Sequence, residues 1–143
     1  MKPALLACCV MFASGTALAH SGATGIVKER MDMMKDLGVA MKALVQQSKA
    51  HTVERGVIIQ SRETIITHAD HLVRMFPVGS DKKPSEAAPA IWTDGDKFKG
   101  LFSDMKSAAI ALSSGPNAKP LSEQIAVVSA TCKACHQQFR IKR

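Results

Sequence analysis

The sequence predicts an all-α chain folded as an antiparallel four-helix bundle, on three observations. Apolar residues recur at three- and four-residue intervals in four separate stretches of similar length. Pro- and Gly-bearing segments part the later stretches, while only a few residues join the first two, which forces those to pack antiparallel. No run alternates with strand periodicity, and no internal repeat is present.

The first stretch, from about Gly25 to Ser48, carries Ile26, Met33, Leu37, Met41, Leu44 and Val45 on one face. The second runs from about Thr52, a suitable N-cap, to Phe76, where Pro77 is a natural stop. Residues 78–91 hold Gly79, Ser80, Pro84 and Pro89 among charges and read as a loop. The third begins near Thr93 or Asp94 and continues through Phe98, Leu101, Phe102, Met105 and Leu112; Gly115, Pro116 and Pro120 end it. The last, from Leu121 to about Lys142, presents Leu121, Ile125, Val128, Cys132, Cys135 and Phe139. Four amphipathic stripes of this kind hide together as a bundle.

Composition narrows the alternatives. The chain has 143 residues, one domain's worth, with 46% apolar and 22% charged residues, enough to build a core and too apolar for disorder. The four cysteines form two pairs, Cys8/Cys9 and Cys132/Cys135, too few for a disulfide framework. These features argue against a β-sandwich, a large Rossmann enzyme and a disulfide-stapled miniprotein.

The first 19 residues read as a Sec-type signal peptide. Lys2 supplies the positive start, Ala4–Ala13 the uncharged apolar run, and Ala17-Leu18-Ala19 an A-x-A cleavage site before His20. The run falls short of the roughly 20 residues that span a bilayer. A lipoprotein box at Leu5-Leu6-Ala7-Cys8 would leave almost no apolar stretch ahead of the cut. Cleavage leaves His20–Arg143 as one periplasmic domain, whose only cysteines are Cys132 and Cys135.

Chemistry concentrates at Cys132-Lys133-Ala134-Cys135-His136. In C-x-x-C-H, two thiols one helical turn apart add across the vinyl groups of haem, and the adjacent histidine coordinates the iron. One covalent haem c is therefore expected. A zinc site would need further ligands that the sequence lacks. A thioredoxin-type pair would need a βαβ pattern. A plain disulfide, in a haem-free helical binding protein, is the remaining alternative.

These residues resemble the class II c-type cytochromes, the cytochrome c′ family. Cys132-Lys133-Ala134-Cys135-His136-Gln137-Gln138-Phe139-Arg140 is similar to the family's closing C-K-x-C-H-x-x-[FY]-R. Ala90-Ile91-Trp92-Thr93-Asp94 is similar to its P-x-I-W segment, and Lys28-Glu29-Arg30 with Met34 to its first helix. The resemblance implies Cys132 and Cys135 as thioether sites and His136 as proximal ligand. It also implies Arg30 against a haem propionate and Arg140 near the proximal side of the ring. Gas-binding members carry a non-ligating apolar residue four positions after the first-helix arginine; here that position is Met34, in a stretch similar to that of low-spin, methionine-ligated members. Met34 is accordingly expected as the distal ligand, with Met33 and Met41 as fallbacks and Met31 off the stripe.

Other residues carry less. Met34 is also an ordinary core filler for a helical interior. His51, His68 and His71 could ligate iron, but such histidines are more often surface or hydrogen-bonded. Trp92, Phe102 and Phe139 read as packing residues, the two phenylalanines as lining of an apolar pocket. The net charge of +7, one unit lower without Lys2, clusters at Lys82-Lys83, Lys97/Lys99 and Arg140–Arg143 and suits acidic redox partners. Nucleic acid does not fit. Members of the family often dimerise, and here monomer and homodimer both stay open. The expected function is one-electron transport and not enzyme catalysis; a five-coordinate cytochrome c′ binding nitric oxide or carbon monoxide is the rival within the family.

Overall fold

The inward stripe of each long helix decides how the helices meet. In the computed structural model, which describes residues 22–141, these helices are α1 (Gly25–Gln47), α2 (Arg55–Leu72), α4 (Gly95–Ile110) and α5 (Leu121–Phe139), with a short α3 (Ala90–Thr93) between the second and third of them. The expected signal peptide, His20, Lys142 and Arg143 lie outside the described residues. On α1 the buried positions are Arg30, Leu37, Ala40 and Leu44; on α5 they are Ile125, Val128 and Phe139. Helix α1 packs on α2, α2 on α4, α4 on α5, and α5 returns to α1, closing a square of four. Among the described residues no strand forms beyond one antiparallel bridge between Ala87 and Arg140.

The two ends of the bundle differ. At the end holding the α1–α2 and α4–α5 connections, Leu44, Ile58 and Leu112 are 0–2% exposed. At the other end Phe98 meets Phe76, Phe102 and Phe139 edge-to-face, with ring centroids 4.8–5.2 Å apart. The crossover from α2 to α4 folds over this second end. Its Ala88 N–H donates to the Phe139 carbonyl at 3.0 Å, and Ile141 N–H donates to the Glu86 carbonyl at 2.8 Å.

Helix ends depart from the expectations of sequence. The second helix starts two residues later than expected, with Glu54 rather than Thr52 at the N-cap; Gln47 Oε1 accepts the Glu54 N–H at 2.7 Å. It also stops at Leu72, because the Arg74 and Met75 N–H groups bond three residues back to His71 and Leu72. Phe76, before Pro77, is disfavoured from helical geometry in any case. The third long helix starts where expected, with Asp94 (φ −128°, ψ 50°) at the N-cap, and the Asp94 carboxylate accepts from Gln138 Nε2 at 3.0 Å. Trp92 therefore sits on the separate turn α3 and donates its indole N–H to the Phe76 carbonyl at 3.0 Å. The last helix ends at Phe139, and Arg140 is extended (φ −117°, ψ 132°) because its backbone pairs with the crossover.

The closed end should carry most of the stability. Leu44→Ala, at 0% exposure, is expected to lower the unfolding free energy by about 2–5 kcal/mol. Val78→Ala, at 88% exposure, should stay within about 0.5 kcal/mol of the parent. Urea denaturation of the haem-loaded protein followed by far-UV circular dichroism measures both.

Candidate functional site

On α5 the spacing Ile125, Val128, Cys132, Cys135, Phe139 continues one inward stripe, so both cysteines occupy core-type positions. Val128 and Phe139 are buried, yet Cys132 and Cys135 between them are only half-buried and unpaired. Burial pushes the Cys135 thiol up to about 11, helped by the neighbouring Cys132. Burial also raises Cys132, against a hydrogen bond with Thr131 that lowers it. Both are therefore neutral thiols at neutral pH, the reverse of the acidic thiols of disulfide oxidoreductases. Among the described residues no group of three or more His, Cys, Asp or Glu side chains could hold a metal ion. His136 follows directly. Burial lowers its pKa, Arg140 lowers it further and Glu86 raises it, which leaves a neutral imidazole able to ligate.

Helix α1 supplies the facing wall. Met33, Met34 and Met41 are half-buried and pack against the core, whereas Met31 is not among the residues that do. Asp36, Ala40 and Ala43 mark the side of α1 that forms a groove with α2. At 100° per residue, Met33 falls on that flank of the stripe and Met34 on the opposite flank, toward α5. The α1–α5 seam is the loosest of the four. Because the helices run antiparallel, the N-terminal half of α1 lies beside the C-terminal half of α5. The loose α1–α5 seam and the thioether flank facing it lie at the level of the two half-open thiols, which fits a flat macrocycle entering there.

The histidines weighed from sequence lie elsewhere. His51 and His71 are exposed. His68 turns from α2 toward α1, with Nε2 3.3 Å from Asp36 Oδ2 and a buried Nδ1 without a hydrogen-bond partner.

Arg30, expected against a haem propionate, also meets protein partners that sequence reasoning missed. Its side chain is buried at 5% exposure and is spent on the crossover. Nη1 donates to the Met75 carbonyl (3.0 Å) and the Ser80 hydroxyl (3.2 Å); Nη2 donates to the Ser80 carbonyl (2.9 Å) and the Ser85 hydroxyl (2.7 Å). The guanidinium also lies 4.3 Å from the centre of the Phe76 ring. Gly79, at φ 85°, makes the left-handed turn that delivers Ser80 to it. Arg140 sits beyond the end of α5, and Nε and one terminal nitrogen engage Glu86 Oε2 at 2.7 and 2.6 Å. Neither Ser80, Ser85 nor Glu86 was legible as a partner, since the crossover carries no periodicity.

Covalent haem accounts for these features together: two unpaired cysteines one turn apart are what thioether formation on the vinyl groups requires, and an adjacent neutral imidazole is the form that binds iron. The fold and site define a monohaem c-type cytochrome built on a helical bundle. Residues 25–140 match the family model described as Cytochrome C′, and the chain belongs to that family. It is 30% identical over 146 residues to cytochrome c′ of Rhodopseudomonas palustris, covering 100% of this chain and 98% of that one. It is 35% identical over 124 residues to cytochrome c-556 of Agrobacterium fabrum, covering 85% of this chain and 84% of the relative. The solved structure of Rhodopseudomonas palustris cytochrome c′ superposes with a TM-score of 0.75 at 29% identity, covering 85% of this chain and 99% of that one. As in the family, the cofactor is a single covalent haem c.

Arg30→Ala should destabilise the protein by about 2–3 kcal/mol, because it strips charged hydrogen bonds from buried Ser80, Ser85 and Met75 acceptors. Ser80→Ala combined with Ser85→Ala should cost less, since the two backbone carbonyls still receive the guanidinium. Chemical denaturation of the three proteins ranks them.

Proposed function

We propose that the protein is a periplasmic one-electron carrier in which Cys132 and Cys135 hold the haem through thioethers, His136 binds iron proximally and Met34 binds it distally. The observation that carries the reading is the position of Met34, on the α5 flank of α1 at the loosest seam of the bundle. Haem supplies an iron couple that gains and loses one electron without a bond being made or broken. The polypeptide's part is to fix two axial donors from facing helices and to keep water away. Phe76, Phe98, Phe102 and Phe139 provide an apolar wall at that end. A thioether opposite an imidazole stabilises ferrous iron and raises the potential relative to histidine alone.

A second reading takes the iron as five-coordinate, with an open distal face for nitric oxide or carbon monoxide. It draws support from the 30% identity to a cytochrome c′ over the full chain. The absorption spectrum of the oxidised protein separates the two. Low-spin bands with a sulfur-to-iron charge-transfer feature are expected, and high-spin bands would replace the carrier by the gas binder. Met34→Ala should convert the low-spin spectrum to high-spin and let the reduced protein bind carbon monoxide; a spectrum unchanged by that substitution moves the ligand to Met33, Met41 or a histidine.

Export by residues 1–19 would deliver the protein to the periplasm. No described helix is long and apolar enough to cross a membrane. Lys82, Lys83, Lys97, Lys99 and Arg140 are exposed at the end that carries Cys132 and Cys135 and suit an acidic redox partner. Electron transfer to such a partner should slow as ionic strength rises, because charges farther apart than about 10 Å are screened at 0.1 M salt. Stopped-flow rates across a salt series test this; a flat profile would remove the charge-steered partner.

A further inference from the structure

We infer that residues 77–83 of the crossover are the docking surface for an acidic redox protein, with Val78 as its apolar contact and Lys82 and Lys83 as its charged rim. The inference rests on the one-electron carrier reading and names the part of the surface that the partner touches. Ser80 and Ser85 are buried, and Arg30 holds both of them. On either side of Ser80 the chain turns outward. Pro77, Val78 and Gly79 are exposed ahead of it, and Asp81, Lys82 and Lys83 are exposed after it. A backbone bond closes each lobe: Ser80 N–H donates to the Pro77 carbonyl at 3.1 Å, and Ser85 N–H to the Lys82 carbonyl at 3.0 Å. With Gly79 at φ 85° in third place, residues 77–80 follow the pattern of a type II turn, and Val78 stands at its tip.

Val78 is 88% exposed, the most open large apolar residue among the described residues, so it adds nothing to the core. A single apolar side chain on a surface is ordinary; this one is held still on a base pinned by a buried cation. Fixing it before contact removes an ordering cost that docking would otherwise carry. Among the described residues neither Lys82 nor Lys83 forms an ion pair. Lys97 and Lys99, exposed on either side of Phe98, add charge beside the turn, because the Phe98 ring packs on Phe76, the residue before Pro77. Asp81, Asp94 and Asp96 offset part of this charge, and the balance stays positive. An apolar tip in a positive rim complements an apolar patch ringed by carboxylates. Transient redox complexes are small, so one central contact carries a large share of their affinity while the charges set the encounter rate.

Stopped-flow reduction of the oxidised, haem-loaded protein by an acidic flavodoxin tests the surface. The flavodoxin hydroquinone gives up one electron and becomes the semiquinone, while ferric haem becomes ferrous. Val78→Ser should slow this reaction roughly threefold or more and leave its salt dependence as in the parent. Lys82→Gln combined with Lys83→Gln should slow it at low salt and flatten the salt dependence. Val127→Ser, the same change at a 57% exposed site on α5, should leave the rate unchanged. Reduction by an uncharged quinol should be unchanged in all of these proteins. A flavodoxin rate that ignores Val78 and both lysines, or an equal effect of Val127→Ser, overturns the proposal. Equal slowing with the quinol would trace the effect to the haem and overturn it too. Binding to phosphatidylglycerol vesicles that Val78→Ser abolishes, with the flavodoxin rate unmoved, would give the surface to a membrane instead. A high-spin parent that takes no electrons from flavodoxin removes the carrier reading beneath; a low-spin parent that reacts fast whatever the substitution removes only the docking surface.

Discussion

A buried guanidinium with no carboxylate among its hydrogen-bond partners is the interaction on which the functional end of this molecule depends. Taking a charge out of water costs several kcal/mol unless hydrogen bonds replace the lost solvation. Arg30 meets that demand with two carbonyls, two hydroxyls and the face of Phe76. All of these come from the crossover or the residues that lead into it. The contact therefore fixes the crossover over the end of the bundle and, in the same act, fixes the rotation of α1. Met34 stands one turn further along α1, so its direction is set by the same anchor. The crossover in turn pairs with the chain after His136, so one buried cation couples both walls of the site.

The division between the two ends follows. Leu44, Ile58 and Leu112 close one end with aliphatic side chains, and among the described residues no titratable group is buried there. The other end is held by directional contacts: the Arg30 cluster, the Trp92 indole on the Phe76 carbonyl, and Gln138 on Asp94. Directional contacts leave room that close packing would fill. That is why Cys132 and Cys135 can lie on an inward stripe and still be half-open.

Most of the architecture was legible because it is local and periodic. Four stripes at three- and four-residue spacing gave the four long helices, and C-x-x-C-H gave the cofactor chemistry. What sequence reasoning missed lies where periodicity stops. The separate turn α3 ahead of Asp94 is one such place, since Trp92 there donates to the Phe76 carbonyl, 16 residues away. The early end of α5 depends on a backbone bridge to Ala87. Arg140 consequently leaves the helix and pairs with Glu86. Arg30 could be singled out by resemblance, yet its receptors, Ser80 and Ser85, are small hydroxyls in a loop and announce nothing.

The choice among three methionines shows how far geometry narrows a set that sequence leaves broad. All of Met33, Met34 and Met41 pack against the core, so burial alone does not separate them. Met41 lies seven residues past Met34, about 10 Å of helix axis toward the closed end. Cys132 and Cys135 stand within the last two turns of α5, at the opposite end, and a macrocycle tethered there draws its distal donor from the same level. Met33 stands at that level but turns toward α2, where Asp36, Ala40 and Ala43 line the groove. Only Met34 combines the right depth with the α5 flank.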